Sequence, residues 1–238
     1  MKKLTAGIVL ASLGFAPMVA ADTVRMASEG AYAPYNFIND AGELDGFERE
    51  LGDELCKRAQ LDCEWVTNEW DSIIPNLVSG NYDTIMAGMS ITDERDEVID
   101  FTQNYTRPDP SAYVGVSTDI DLDNGVIAAQ SATIESAYVA TTGATLVEFT
   151  TSEETLAAVR NGEADAVLAD KGFLAPFVSE SDDLIFVGDD VILSKGVGMG
   201  VRESDTELKE KFDAAIQSMK DDGSLNALIV KWEIGAEF

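Results

Sequence analysis

The sequence contains no histidine and only two cysteines in 238 residues. Histidine is the commonest general base and the commonest metal ligand, so its absence argues against nucleophilic triads and most metal sites. Two thiols without histidine also make a poor zinc site. Neither of the glycine-rich loops that bind phosphates in nucleotide-dependent proteins occurs. We therefore expect no catalytic residue, no metal and no cofactor.

Positive charge is scarce as well. The chain has 16 Lys and Arg against 44 Asp and Glu, for a net charge of −28. Such an acidic surface repels the phosphates of nucleic acids and of anionic lipids, so neither is an expected partner. A solvated acidic coat is the simplest explanation of the charge, which by itself does not identify a ligand.

Long apolar runs are missing after the first twenty or so residues. The chain begins MKKLTAGIVLASLGFAPMVAAD, with a basic start, an apolar stretch and small residues before the first acid. This pattern is typical of a secretory signal peptide and is too short for a membrane span. We expect residues 1–21 to be removed, with cleavage after Ala20 or Ala21 fitting equally well. In an exported chain, Cys56 and Cys63 are expected to pair in a disulfide.

The rest of the sequence alternates strand-like and helix-like segments. After the strand-like TVRMAS, the segment GFERELGDELCKRAQ places Phe47, Leu51, Leu55 and Ala59 four residues apart, as on an amphipathic helix. The order β-α-β-α-β follows and is repeated in the second half. It predicts an α/β protein with mainly parallel sheets and helices on their faces. Near the C terminus, a helix is predicted between a Ser-Asp cap and Gly223.

Two segments of the chain resemble each other, SGNYDTIMAG at 79–88 and NGEADAVLAD at 161–170. Each is predicted to be a helix end followed by a strand that leads to polar residues. These are Ser90 and Arg95 in the first half and Asp170 in the second. Open α/β sheets bind ligands at the C-terminal ends of their strands. We therefore expect Arg95 and Asp170 on opposite walls of one cleft.

Arg95 is a lone cation in the acidic stretch AGMSITDERDEVIDF. Its planar guanidinium can donate two parallel hydrogen bonds to a carboxylate, which lysine cannot do. Ser90 and Thr92 lie where a strand leads into a helix, whose N-terminus adds free N–H groups. Together these groups are typical of a carboxylate-binding site. From this stretch alone, an ion pair between Arg95 and a surface acid such as Glu94 remains an open alternative.

Beyond these motifs, the chain resembles the family 3 solute-binding proteins of polar-amino-acid ABC transporters, especially the lysine/arginine/ornithine- and octopine/nopaline-binding proteins. The resemblance covers nearly all of the chain after the signal segment and is most specific over 68–102. It is carried by ASEGAYAPYNF, GELDGFERELGDELCKRAQLDCEWV, EWDSIIPNLVSGNYDTIMAGMSITDERDEVIDFT and DTELKEKFDAAIQSMKDDGSLNALIVKW. The spacing of Cys56 and Cys63 also resembles that of the family, in which a disulfide ties a helix to a strand.

The resemblance implies the periplasmic binding protein type II fold, in which two α/β lobes close on an amino acid. We expect lobe 1 to comprise residues 22–109 and 191–238, and lobe 2 to comprise residues 110–190. Two irregular stretches, at 106–113 and 188–195, are expected to be the crossings between the lobes and to act as hinges.

The resemblance also implies how the backbone groups of an amino acid are bound. Arg95 and Ser90 would hold the α-carboxylate together with Thr133 at the start of a second-lobe helix. Asp170 and the carbonyl of Gly88 would receive the α-ammonium group. The complete implied ligand-binding set is Glu29, Tyr32, Trp70, Gly88, Met89, Ser90, Arg95, Thr133 and Asp170.

The side chain of the ligand would lie between two aromatic residues, Tyr32 and Trp70, with Glu29 facing its far end. Ordinary core packing is the alternative interpretation of the aromatic residues, and an unremarkable exposed acid is the alternative for Glu29. The chain departs from the family pattern at Ser131 and Ala132, where the family usually has Gly followed by Ser or Thr. This departure removes one hydroxyl from the second-lobe part of the carboxylate site.

The expected function is therefore capture of an amino acid in the periplasm and its delivery to an ABC permease in the inner membrane. An acid at position 29 favours a cationic ligand, namely arginine, ornithine, lysine or an opine, over glutamate and aspartate. The protein is expected to act as a monomer and not as an enzyme. The alternatives are a cyclohexadienyl dehydratase-like enzyme on the same scaffold and a ligand-loaded partner of a membrane sensor.

Overall fold

The structure is a computed structural model that describes residues 23–238. The expected signal peptide, residues 1–21, lies outside the described residues. The strands are β1 Val24–Ser28, β2 Ala31–Tyr32, β3 Asn36–Ile38, β4 Leu44–Asp45, β5 Cys63–Thr67, β6 Thr84–Ile85, β7 Asp100–Phe101, β8 Ser111–Gly115, β9 Val126–Gln130, β10 Thr145–Phe149, β11 Ala166–Asp170, β12 Ile185–Val191 and β13 Gly200–Val201. The helices are α1 Phe47–Ala59, α2 Trp70–Val78, α3 Asp93–Asp96, α4 Ile134–Val139, α5 Ser152–Asn161, α6 Lys171–Ser179, α7 Thr206–Asp221 and α8 Ser224–Lys231.

Two five-stranded sheets form the centres of two lobes. The first has the order β5-β1-β6-β13-β7 and the second has the order β10-β9-β11-β8-β12. In each sheet the first three strands are parallel, and the fourth is antiparallel to both of its neighbours. The predicted two-lobed α/β fold with mainly parallel sheets is therefore confirmed, and each sheet contains one reversed strand that the sequence pattern did not predict.

The reversed strands mark the two places where the chain passes between sheets. β8 is the first strand after the chain leaves the first sheet, and β13 is the first after its return. Residues 111–113 and 188–191, which were expected to be irregular, are parts of the paired strands β8 and β12. The segments without strand or helix at the crossings are shorter than expected, and the lobe boundaries and hinges remain predictions.

Helix α1 follows the predicted amphipathic pattern, because Phe47, Leu51 and Leu55 are fully buried. The predicted disulfide between Cys56 and Cys63 is present and joins α1 to β5. None of the helices in residues 23–238 combines the length and the apolar character that crossing a bilayer requires.

Helix α7 also lies where it was predicted, but its N-terminal cap differs. The Asp205 side chain makes no capping hydrogen bond. Its carboxylate lies 2.6 Å from the guanidinium of Arg202, so this ion pair replaces the predicted Ser-Asp cap. At the other end, Gly223 has a left-handed backbone with φ of 78°, which lets the chain turn directly into α8.

Candidate ligand-binding cleft

The C-terminal ends of strands from both sheets meet at one cavity. Residues after β6 form one wall, and residues after β9 and at the end of β11 form the other. Eight of the nine residues expected from the sequence line this cavity: Glu29, Tyr32, Trp70, Gly88, Ser90, Arg95, Thr133 and Asp170. The ninth, Met89, has a fully buried side chain that packs in the core of the first lobe with Ile85 and Ile99.

The turn after β6 explains the position of Arg95. Gly88 has φ of +64°, and a Cβ atom there would lie 3.1 Å from the Tyr32 ring. The chain then enters α3, where the Thr92 hydroxyl caps the helix by accepting a hydrogen bond from the Arg95 amide at 3.2 Å. The acidic residues of α3 are exposed to water, which leaves Arg95 as the residue of this helix that lines the cavity.

The Arg95 guanidinium is bonded to neutral groups. Nη1 donates to the Ser90 carbonyl at 2.9 Å, Nη2 donates to the Ala132 carbonyl at 3.2 Å, and the group lies 5.3 Å from the centre of the Trp70 ring. Within residues 23–238, no carboxylate lies at salt-bridge distance from it, and the nearby Asp93 pairs with Lys195 instead. The alternative of a surface ion pair is therefore absent from this structure, and the positive charge is free to meet an anion.

The opposite wall carries two carboxylates. Asp170 accepts a hydrogen bond from the Tyr32 hydroxyl at 2.5 Å, and buried Glu135 accepts one from Ser111 Oγ at 2.6 Å. Burial, followed by the charge of Glu135, raises the pKa of Asp170 to about 8, with the hydrogen bond from Tyr32 opposing this rise. Burial likewise raises the pKa of Glu135. A cation placed beside these acids would stabilise their ionised forms, so this wall is suited to an ammonium group.

A third carboxylate, Glu29, lies elsewhere on the cavity wall. Glu29 accepts a hydrogen bond at 2.8 Å from Gln130 Nε2, and Gln130 Oε1 accepts one at 2.6 Å from Ser152. Burial raises the pKa of Glu29 to about 7, with the Gln130 hydrogen bond opposing this rise. Glu29 is therefore not an ordinary exposed acid, because it is partly buried and held by a side chain of the other lobe.

The two aromatic residues that line the cavity also pack in the core. Tyr32 and Trp70 are each only 8% exposed. The Tyr32 ring stacks on Phe173 with 4.8 Å between ring centres, and Trp70 Nε1 donates to the Ala132 carbonyl at 3.3 Å. Phe173 and Ala132 belong to the second lobe, so both aromatic side chains span the gap between the lobes.

Direct contacts hold the two walls together. Besides the bonds at Asp170, Gln130 and Ala132, the Ser131 hydroxyl donates to Asp71 at 2.6 Å. Ala132 has φ of 57°, a left-handed backbone that is uncommon for residues other than glycine. The structure is therefore a closed arrangement of the lobes, and the two residues that depart from the family pattern take part in closing it.

Sequence reasoning missed three polar residues of the cavity, namely Gln130, Glu135 and Ser152. Gln130 is the last residue of β9, while Glu135 and Ser152 lie in the first turns of α4 and α5. Their positions in the predicted elements could have identified them, because helix starts and the C-terminal ends of strands form the ligand-facing edge of an α/β sheet.

Comparison with known proteins identifies the class to which this fold and cleft belong. The model of the bacterial extracellular solute-binding proteins, family 3, matches residues 24–236. The chain therefore belongs to this family, as its sequence motifs predicted.

Three relatives illustrate the range of the family. The L-arginine-binding protein of Pseudomonas aeruginosa is 34% identical, with 98% of this chain and 96% of the relative covered. The octopine-binding periplasmic protein of Rhizobium meliloti is 30% identical, with 88% and 90% covered. A periplasmic His/Glu/Gln/Arg/opine family-binding protein from Silicibacter pomeroyi, crystallised in complex with lysine, is 71% identical with a TM-score of 0.89, covering 91% of this chain and all of that one.

Proposed function

We propose that this protein captures a cationic amino acid in the periplasm and delivers it to an ABC permease. The observation that carries the proposal is the division of charge across the cleft. Arg95 on one wall has no carboxylate partner within the described residues, whereas Asp170 and Glu135 lie on the other. An α-amino acid carries an anionic carboxylate and a cationic ammonium group on the same carbon atom, so it complements both walls at once.

Each of the two charged groups on the α-carbon of the ligand has proposed partners. The α-carboxylate would take the place of the neutral carbonyls at the Arg95 guanidinium, with Ser90 and Thr133 as further donors. The α-ammonium would bind Asp170 and the Gly88 carbonyl, in place of the hydrogen bond from Tyr32. A charge-assisted hydrogen bond of this kind contributes about 1.5–3 kcal/mol, so the pair of contacts would supply much of the affinity.

The preference for a cationic side chain rests on Glu29. Its raised pKa means that ionising this carboxyl in the closed cleft is unfavourable without a nearby positive charge. A lysine ammonium or an arginine guanidinium would supply that charge, and the faces of Trp70 and Tyr32 also attract cations. The names of the relatives, which bind arginine and octopine, and the lysine in the Silicibacter pomeroyi protein support the same ligand class.

Calorimetry on ligand-stripped protein tests the proposal. Lysine, arginine, ornithine, octopine, glutamine and glutamate would be titrated into the same preparation. We expect one of the four cationic or opine ligands to bind most tightly and glutamate to give no heat of binding. Tightest binding of glutamate or of an aliphatic amino acid would contradict the selectivity, and no binding of any amino acid would contradict the function.

One observation keeps an enzymatic alternative testable. Glu135 and Asp170 are adjacent acids with raised pKa values in the cleft, and such a pair can protonate a leaving group. We infer that their role is to bind the ammonium group and that the protein is not a dehydratase. Incubation with arogenate or prephenate should therefore yield no aromatic product, and its formation would support the enzyme instead.

A further inference from the structure

A buried carboxylate behind the cleft has no role in the function proposed above. Glu48 lies in the first turn of α1, is fully buried and does not line the cavity. Its Oε1 accepts hydrogen bonds from the Gly88 amide, at 2.7 Å, and from the Tyr105 hydroxyl, while Oε2 accepts one at 2.7 Å from Asn36 Nδ2. Burying a charge is costly unless it is fully hydrogen-bonded, so this arrangement calls for an explanation.

Glu48 is connected to the backbone at two positions beside the cavity, directly at Gly88 and through Asn36 at Gly30. Gly88 is the residue whose carbonyl faces the ligand ammonium in the proposed complex. Asn36 links Glu48 to Gly30, because its Oδ1 accepts a hydrogen bond at 2.7 Å from the Gly30 amide. Gly30 lies in the chain between Glu29 and Tyr32. One carboxylate thus fixes the backbone beside both the ammonium subsite and the side-chain subsite.

All three partners of Glu48 are placed to donate hydrogen bonds, a pattern that suits an ionised carboxylate. Burial raises the pKa of Glu48, and the hydrogen bonds from Tyr105, Gly88 and Asn36 oppose that rise. Its position in the first turn of a 13-residue helix adds the favourable field of the helix N-terminus. The negative charge is therefore accommodated without any cationic side chain.

Gly88 is also held on its other side. The carbonyl of the next residue, Met89, accepts a hydrogen bond from the Gly198 amide at 3.2 Å, and Ser90 forms a β-bridge with Val197. Glu48 is thus the anchor on the amide side of a turn whose other side is held by backbone. Without this anchor, the Gly88 residue would be free to rotate, because glycine has few steric restrictions.

We propose that Glu48 is a positioning residue for the ligand α-ammonium: through the Gly88 amide it holds the Gly88 carbonyl toward the cleft, and through Asn36 it holds the loop that carries Glu29 and Tyr32. The inference rests on the function proposed above. Glu48 does not touch the ligand and acts through the backbone that does.

Two ligands separate positioning from a general structural role. Lysine has the α-amino group, and 6-aminohexanoate is the same molecule without it. In Glu48→Gln we expect the amide oxygen to stay with the Asn36 donor and the new NH2 group to donate to the Tyr105 hydroxyl, so that the Gly88 amide loses its acceptor. We expect lysine to bind at least about tenfold more weakly and 6-aminohexanoate to lose no more than about threefold, since only lysine uses the Gly88 carbonyl through its α-ammonium. Exposed Glu43→Gln is the matched control and should change neither affinity.

A double variant tests whether the hydrogen-bond pattern is the cause. In Asn36→Asp with Glu48→Gln, the new amide donates to the new carboxylate, which still accepts from Gly30. Every bond is restored while the negative charge moves from position 48 to position 36. We expect lysine affinity to recover to within about threefold of the parent. If Glu48→Gln does not fold, Tyr105→Phe replaces it, and a loss confined to lysine is expected.

Equal losses for the two ligands, or a well-folded double variant that binds lysine as weakly as Glu48→Gln, would overturn the inference. A Glu48→Gln protein that binds lysine as the parent does would also overturn it, while leaving the proposed function intact. If the parent binds neither lysine nor any other amino acid, the proposed function itself fails. The parent is measured before any variant, so this failure is distinguished from failure of the role of Glu48.

Discussion

The two lobes share the same arrangement of parallel and reversed strands but contribute different charged groups to the cleft, the cation coming from the first lobe and two of the three carboxylates from the second. The first lobe supplies Arg95 together with two aromatic side chains, and the second supplies Asp170 and Glu135. A ligand with only one charged group would satisfy only one lobe. An amino acid that contacts both walls would bind the closed form preferentially, and we expect this difference to allow binding to close the protein.

The turns that follow one strand of each sheet sharpen this comparison. Gly88 after β6 and Ala132 after β9 have nearly the same φ, +64° and +57°. Gly88 has no room for a side chain beside Tyr32, whereas the Ala132 side chain is exposed. The departure from the family pattern at Ala132 therefore removes a hydroxyl but blocks no contact, and the Ala132 carbonyl still bonds to Trp70 and Arg95.

The largest effect is expected from Asp170→Asn, which removes the charge of the second wall. The ligand ammonium would be left unpaired in a closed site, and breaking a buried charge pair costs about 3–5 kcal/mol. Lysine affinity measured by calorimetry should fall by more than about a hundredfold. Asp71→Asn, at a contact between the walls outside the cavity lining, serves as the control. Binding of lysine within twofold of the parent would show that Asp170 is misassigned.

Arg95→Lys should be the next most damaging change, although it preserves the charge of the first wall. Lysine cannot form two parallel hydrogen bonds with a carboxylate, and each charged bond is worth about 1.5–3 kcal/mol. Calorimetry should show a loss of roughly ten- to a hundredfold. Thermal unfolding without ligand should change little, because the guanidinium bonds only to carbonyls. Unchanged affinity would remove Arg95 from the carboxylate site.

Glu29→Gln should alter selectivity more than overall affinity. The change removes the negative charge that we propose faces the far end of the ligand, and it keeps a hydrogen-bonding group for Gln130. The preference for arginine over glutamine should fall by about tenfold, as expected for loss of one charged hydrogen bond. Competition calorimetry with both ligands measures this ratio. If the preference stays intact, Glu29 does not determine selectivity, and the roles of Arg95 and Asp170 are unaffected.

Closing without ligand should depend on pH. In the closed cleft the pKa of the Asp170 carboxyl is about 8, and opening the cleft to water should bring it toward its ordinary value of about 4. Closing therefore takes up a proton between these values, so the empty closed form is favoured at low pH and loses this contribution as pH rises through 8. Scattering on ligand-stripped protein should give a smaller radius of gyration at about pH 5 than at about pH 9. If the radius of gyration of Asp170→Asn changes equally with pH, other titrating groups cause the effect.

The smallest effect is expected from Ala132→Gly. Glycine adopts positive φ without strain, which stabilises the turn, but it also gives the unfolded chain more freedom. The two effects oppose each other, so the free energy of unfolding should change by no more than about 1 kcal/mol. Lysine affinity should stay within about twofold, because the carbonyl that bonds to Trp70 and Arg95 is kept. A larger loss would mean that the alanine side chain itself contributes to closure.

The sequence was most informative where periodicity or chemistry was strong. The amphipathic spacing of Leu51 and Leu55 predicted α1, and the repeated strand ends placed Arg95 and Asp170 near one another. Side-chain direction was harder to predict. Met89 lies between two cavity residues, yet its side chain packs in the core, because the chain turns at Gly88, where φ is +64°. Glu135 was missed because a glutamate in a chain with 44 acids carries little signal until the fold shows that it is buried.

The reversed strands also have a consequence for how the chain folds as it is synthesised. The sheet of the second lobe is complete once Val191 has been made. The first sheet cannot be completed until β13, at Gly200–Val201, pairs with β6, more than a hundred residues earlier in the chain. Contacts so distant in sequence form slowly. The later lobe can therefore finish folding first, and the earlier one must wait with β6 exposed as an unpaired strand edge.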